Sequence, residues 1–297
     1  MQGTGTFGDP YIITTAQELM NMCFSGSSGA HFALGADIDF NGCYGGDVPE
    51  TIQTDCAELD GRGHKIRNIF ISRPGQTVSL FTLLGDIRIH DISFENLRMS
   101  GTTVSLLGGD GVSAYVYRCT FCFSVTTGSG YTYNHSLVNF RSVTTGVELC
   151  SFVGRISQYR QLTWMIGGDI RGCQWDVDII AANFGSVNLS SSEPVFDGTA
   201  LTDCSFRGNL TMTGTSSSSN YLHMSKYSYF TNCIIMFCAI TRINLNLQSY
   251  VLSRCIVNDE KKGDMSLGVN AMVSKLTDAQ CRDAVYLRSI GFDCAEG

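Results

Sequence analysis

Helix-forming text is almost missing from this 297-residue chain between positions 30 and 270. That excludes the alternating strand and helix of a doubly wound sheet or a (β/α) barrel. Proline is scarce, at 4 residues against 32 glycines, so turning falls to glycine, serine and asparagine. Charge is thin, at 16%, which leaves a surface of neutral polar groups suited to assembly or to carbohydrate. With a net charge of −7, no stretch gathers Lys or Arg with interleaved aromatics. Nucleic-acid binding needs such a basic footprint, and that class is set aside. No apolar run reaches membrane-spanning length. The opening Met1-Gln2-Gly3-Thr4-Gly5-Thr6 has neither the basic nor the apolar part of a secretory signal. Cytoplasmic synthesis with release by lysis is therefore expected, the alternative being a trimmed leader.

What is present is a recurring phrase, apolar-x-x-(Cys/Ile)-x-(aromatic or aliphatic). It runs Ile66-x-x-Ile69-x-Ile71, Ile89-x-x-Ile92-x-Phe94, Val116-x-x-Cys119-x-Phe121 and Val147-x-x-Cys150-x-Phe152. It continues as Ile170-x-x-Cys173-x-Trp175, Leu201-x-x-Cys204-x-Phe206, Phe230-x-x-Cys233-x-Ile235 and Leu252-x-x-Cys255-x-Val257. The central residues are 23, 27, 31, 23, 31, 29 and 22 positions apart, a spacing that marks a solenoid. Within a repeat, Cys204/Phe206 and Leu210/Met212 alternate with polar residues, the period of a half-buried strand. Gly208-Asn209 between them predicts a corner. A second apolar pair precedes most phrases: Leu80-Phe81, Leu106-Leu107, Leu137-Val138, Trp164-Met165, Val195-Phe196 and Tyr221-Leu222. The expected fold is all-β, a right-handed single-stranded parallel β-helix with short N- and C-terminal capping helices. The expected organisation is an N-terminal cap over 1–30, coils over 31–270 and a capping helix over 271–297. Thr15-x-x-Glu18 and Thr277-x-x-Gln280 are capping boxes that would start the two helices.

Of 13 cysteines, six hold the central position of the phrase. Stacked side chains there point the same way, which resists the dihedral a disulfide needs. Cysteine then acts as a small apolar filler, equivalent to Ile69 and Ile92, in a chain that folds in a reducing compartment. Cys119-x-x-Cys122 in a strand faces two sides. No Cys/His cluster of ligand spacing is legible, so neither a metal nor another cofactor is expected.

Gly5-Thr6-Phe7-Gly8-Asp9-Pro10-Tyr11 through Leu19, Phe32-Ala33-Leu34-Gly35-Ala36-Asp37-Ile38-Asp39, Leu59-Asp60-Gly61-Arg62-Gly63-His64-Lys65-Ile66 and Ser79-Leu80-Phe81 resemble the GLUG-motif and related repeat proteins of bacterial and viral surfaces. Leu276-Thr277-Asp278-Ala279-Gln280 with Ser289-Ile290-Gly291-Phe292 resembles their closing helix. Gly-Leu-x-Gly itself is not repeated. The resemblance implies an adhesin-like or structural module without a catalytic site.

A polysaccharide lyase or hydrolase on such a rod would need clustered carboxylates. Candidates are Asp37/Asp39, Glu58/Asp60, Asp110, Asp169 and above all Asp176/Asp178, an i, i+2 pair on one strand face. Turn-forming or solvated aspartates are the reading favoured for them. His64, His90, His135 and His223 show no partner at ligand spacing along the chain. Tyr131, Tyr133, Tyr159, Tyr227 and Tyr229 read as loop aromatics able to stack on sugars.

The function expected is a non-enzymatic structural or attachment protein, a virion part such as a phage head fibre, decoration protein or tail appendage, able to bind surface glycans. A polysaccharide-degrading enzyme and a bacterial surface adhesin are the alternatives. Expected partners are copies of itself as a trimer, other virion or surface proteins and carbohydrate, with no nucleic acid and no membrane insertion. Light scattering at physiological salt is expected to give three times the chain mass; a monomer at high concentration removes the oligomer.

Overall fold

The computed structural model describes residues 1–22, 28–41, 51–108, 112–127, 136–139, 146–158, 163–166, 168–182, 196–197, 200–213, 221–223, 225–226, 229–231, 233–241, 244–247, 251–258, 266–267, 271–277, 279–280 and 283–290. Successive strands pair in parallel, coil upon coil, and the chain is a parallel β-solenoid with very little helix. One coil shows the plan. Ile87–His90 lies on a first face, Ser93–Gly101 on a second and Thr103–Gly108 on a third.

Register makes columns. On the first face Phe32, Leu59, Ile89, Val116, Val147, Ile170, Leu201, Phe230, Leu252 and Ala271 are consecutive partners. Tyr11–Ile13 extends this face below, so pairing enters both segments expected as caps. On the third face Ile52, Phe81, Leu107, Val138, Met165 and Phe196 succeed one another. The expected sixth apolar pair departs from this order: Phe196 pairs with Ser225, while Tyr221–His223 joins a separate sheet beside Asn244–Leu247.

The second face carries the bulkiest column: Phe94, Phe121, Phe152, Trp175 and Phe206. Coils related by a translation of about 4.8 Å hold equivalent rings parallel. Centroid separations are 4.8, 5.2, 5.2 and 4.5 Å, with interplanar angles of 7°, 5°, 11° and 17°. Each pair contributes about 0.5–1.5 kcal/mol beyond the area it buries.

One residue turns each corner between the first and second faces. Asp91, Arg118, Leu149, Gly172 and Asp203 have φ of 56°, 51°, 53°, 60° and 55°. Asp and Gly accept this left-handed conformation readily; Arg118 and Leu149 adopt it at a cost of about 1–2 kcal/mol each. The corner N–H donates to the next coil, as from Arg118 to Glu148 O at 3.0 Å and from Asp203 to Thr231 O at 3.0 Å. The following residue points inward, and this is the Ile92, Cys119, Cys150, Cys173, Cys204, Cys233 column, buried throughout.

Cysteine does more there than fill space. The thiols of Cys119, Cys150, Cys173, Cys204 and Cys233 lie 3.2–3.5 Å from the carbonyl two residues earlier and 3.5–3.8 Å from one in the coil below. Each thiol is a weak donor at a bend where the ladder is interrupted. These thiols are free, and burial pushes that of Cys173 far above its ordinary value.

Two expectations change. Ile69 is buried but sits in another column. Ile66 pairs with Phe94 and Phe70 with Arg98, which places Ile69 opposite Leu97. Two extra residues in the turn 61–64 shift the phrase, and Gly61 lies under Ile92, where a Cβ would come within 2.2 Å of Ile92 Cγ1. Gly208-Asn209 is no corner either. Ser205–Thr213 is one strand, with a register shift at this point that acts as a bulge. Cys255 lies in Val251–Asn258, in register with Val273; its side chain falls outside the described set.

Helix α1, Ala16–Asn21, is capped by Thr15, whose Oγ1 accepts from the Glu18 N–H at 3.2 Å. The Glu18 carboxylate closes the box one residue early, on the Thr14 N–H at 2.8 Å. Near the other end Thr277 and Gln280 form their own box, accepting from each other's N–H at 3.2 and 3.0 Å. Residues 279–280 behind it are helical, and helix α2, Ala284–Ser289, follows with its own cap, Asp283. It buries Leu287 and exposes Val285. Among the described residues no helix is long and apolar enough to cross a membrane.

Trp175→Ala, which opens the middle of the ring column, is expected to cost about 3–5 kcal/mol in denaturant unfolding. The exposed Val153→Ala is expected to stay within about 0.5 kcal/mol of the parent.

Candidate functional site

Outward positions of the first face form two further columns, and their side chains meet across coils. One runs His31, Glu58, Arg88, Tyr115, Gly146, Asp169, Ala200. The other runs Ala33, Asp60, His90, Tyr117, Glu148, Arg171, Thr202. Strand alternation sends both sets away from the core.

His90 is the centre of the arrangement, with a side chain only 10% exposed. Its Nε2 lies 3.3 Å from Glu58 Oε1, its Nδ1 2.8 Å from Asp91 Oδ2 and 3.5 Å from Asp60 Oδ1. The Tyr117 ring stacks on the imidazole at 4.5 Å and 13°. Asp60 shares its register position, and Asp91 is the left-handed corner residue whose carboxylate turns back to the ring. Arg118, the next corner, grips Asp91 with Nε and Nη2 at 2.6 and 2.5 Å and lies 4.7 Å over the Tyr117 ring. The bidentate guanidinium, helped by His90 against the opposing effect of burial, lowers the Asp91 carboxyl to about 2.

The chain of contacts extends both ways. His31 Nδ1 lies 2.9 Å from Glu58 Oε2, and Phe7 packs edge-on against His31. Burial pushes the Glu58 carboxyl up, but hydrogen bonds from both histidines outweigh it and hold the group below its ordinary value. Upward, Tyr115 lies 5.1 Å from Tyr117 and donates its hydroxyl to Glu148. Gly146 makes this possible, because a Cβ there would meet the Tyr115 ring at 2.6 Å.

A second network sits below the aromatic column. Asp39 accepts from Asn68 Nδ2 at 2.8 Å, the Asn41 N–H at 2.7 Å and Arg67 Nε at 3.0 Å. Asn96 Nδ2 donates to Asn68 Oδ1 at 2.7 Å, continuing the ladder. Asp37 accepts from the Lys65 N–H and faces His64 Nδ1, both at 3.1 Å.

Asp176 and Asp178 share the outer side of Gln174–Ala182, alternating with buried Trp175 and Val177. They stand in register with Arg207 and Arg155 respectively, so each faces a strand position of opposite charge. Asp169 begins a strand. Asp110, His135, Tyr131, Tyr133, Tyr159 and Tyr227 lie outside the described residues. Tyr229 belongs to a strand, Tyr229–Thr231, with its backbone beside Ala200 in the Tyr115 column. The sequence reading missed His31, Arg118, Tyr115 and Tyr117 and found no partner for His90. Aligning Leu59-Asp60, Ile89-His90 and Val116-Tyr117 as successive coils is the signal that brings them together.

No family model matches the chain, so its likeness to GLUG-motif proteins stands on the residues quoted alone. No curated protein matches it either. Among solved structures it is similar to one from Bacteroides ovatus described as a "putative immunoglobulin A1 protease". The TM-score is 0.56 at 20% identity, over 97% of this chain and 89% of that one. The likeness shows the β-helix fold.

Asp39 supplies a pH test. Asn68 first, then the Asn41 N–H and Arg67, hold its carboxyl below the ordinary 3.8. A depressed carboxylate stabilises the fold fully above its unfolded value, and that contribution is lost as pH falls through the folded one. Asn68→Gly keeps the positive φ of 60° and removes the amide. Its melting temperature is expected to trail the parent's at pH 7, with the gap narrowing as pH falls below the ordinary 3.8 of the carboxyl.

Proposed function

We propose that the chain is a non-enzymatic structural or attachment module that offers the first face of its rod to carbohydrate. The observation that carries this reading is the state of its carboxylates. Each resolved shift among the described residues, at Glu18, Asp37, Asp39, Glu58 and Asp91, is downward. Glycoside hydrolysis calls for the opposite, a carboxyl that holds its proton near neutral pH. Asp176 and Asp178 each stand in register with an arginine position and not with another carboxylate. Tyr115, the exposed ring of the pair, with its hydroxyl on Glu148, supplies a flat apolar surface beside polar groups, the chemistry that takes a sugar ring.

A virion appendage is the setting we favour, because free core thiols agree with assembly in a reducing compartment. A cell-surface adhesin is the other setting. Mass spectrometry of purified particles from the source culture separates them by whether the chain travels with capsid proteins.

On a panel of acidic and neutral polysaccharides the protein is expected to bind without shortening any of them. Tyr115→Ala is expected to weaken binding roughly two- to tenfold. Depolymerisation abolished by Asp176→Ala or Asp178→Ala overturns the non-enzymatic reading.

A further inference from the structure

We propose that the polysaccharide taken by the first face is anionic, its carboxylate or sulfate groups held by Arg88 and Arg171 and one of its rings lying on Tyr115 between them; this rests on the carbohydrate reading above. Arg88 and Arg171 are exposed, and among the described residues neither side chain makes a hydrogen bond or ion pair. Arg67 and Arg118, by contrast, are each fixed on an aspartate. The carboxylates one coil below the free pair are already committed. Glu58, below Arg88, faces His31 and His90, while Glu148, below Arg171, accepts the Tyr115 hydroxyl. Two exposed guanidinium groups are left without a bonded carboxylate, and their forked donors match the paired oxygens of an oxyanion.

Their placement suits a polymer. Tyr115 is the next residue above Arg88 in the same outward column, and Arg171 stands two coils above Tyr115 in the neighbouring column. Three coil intervals of about 4.8 Å put the two cations about 14 Å apart along the rod. That separation fits a run of sugars lying lengthwise better than a single one. Between the cations Gly146 leaves its column without a side chain, and the Tyr115 ring lies over it, since a Cβ there would meet the ring at 2.6 Å. Tyr115 is 39% exposed, a platform for the apolar face of a sugar. Glu148 holds the Tyr115 hydroxyl above its ordinary value, and Arg171 is close enough for its charge to oppose that shift. Asp169, above Gly146 in the Tyr115 column, lies on the same path and repels an anionic chain.

The test uses the full chain in biolayer interferometry against polygalacturonate, its fully methyl-esterified neutral form, dextran sulfate and plain dextran. At least one anionic polymer is expected to bind saturably, about tenfold more tightly than its neutral counterpart, and to loosen as salt rises. Preference for polygalacturonate names carboxylate as the group recognised; preference for dextran sulfate names sulfate. Arg88→Gln and Arg171→Gln, shown folded by circular dichroism, are each expected to loosen that polymer severalfold, and Asp169→Asn to tighten it. Neutral polymers bound as tightly as the anionic ones overturn this inference alone and need no variant. Absence of binding to any of the polymers overturns it together with the carbohydrate reading. Binding of an anionic polymer that is indifferent to both arginine variants, or weakened by Asp169→Asn, overturns the site as well.

Discussion

Vertical hydrogen bonding between equivalent residues of adjacent coils is the constraint from which the remaining features follow. It fixes the interval between coils at a strand spacing, so any side chain must fit against its counterparts above and below. The inner columns answer with parallel rings, branched aliphatics and thiols. The outer columns answer with complementary charge, as where Glu58 stands between His31 and Arg88. A position therefore has two relevant neighbours, and stability accumulates coil by coil.

The corners show how local backbone chemistry serves that constraint. A single left-handed residue reverses which side of the ribbon the next side chain takes. It also brings the corner side chain into reach of the outer columns. Asp91 and Arg118 meet for that reason, and their contact ties one coil's turn to the next. The energy spent on a left-handed arginine or leucine is small beside the burial of the residue that follows.

The coil period, the inward cysteines and the alternation were legible because they repeat along the chain. Register was not. Ile69 carries the right residue type at the right offset, yet two extra residues in the turn 61–64 move it into another column, and spacing alone does not reveal where a coil absorbs an insertion. The contacts of His90 were hidden for a related reason. Except for Asp91, its partners lie about one coil away in sequence, at Glu58, Asp60 and Tyr117. Motif searches that look three or four residues away pass over them. The capping boxes were visible, but a separate helix near the C-terminus, Ala284–Ser289, takes its cap from Asp283, six residues beyond Thr277.

The inward sulfur atoms give the rod an internal scale. Cys119, Cys150, Cys173, Cys204 and Cys233 mark five successive levels, each sealed while its own level stays wound. A rod that unravels from one end surrenders these groups to an alkylating reagent in spatial order, whereas a rod that opens all at once surrenders them together. The order of modification thus distinguishes a zipper from a single cooperative block, with the reporters already built into the polypeptide.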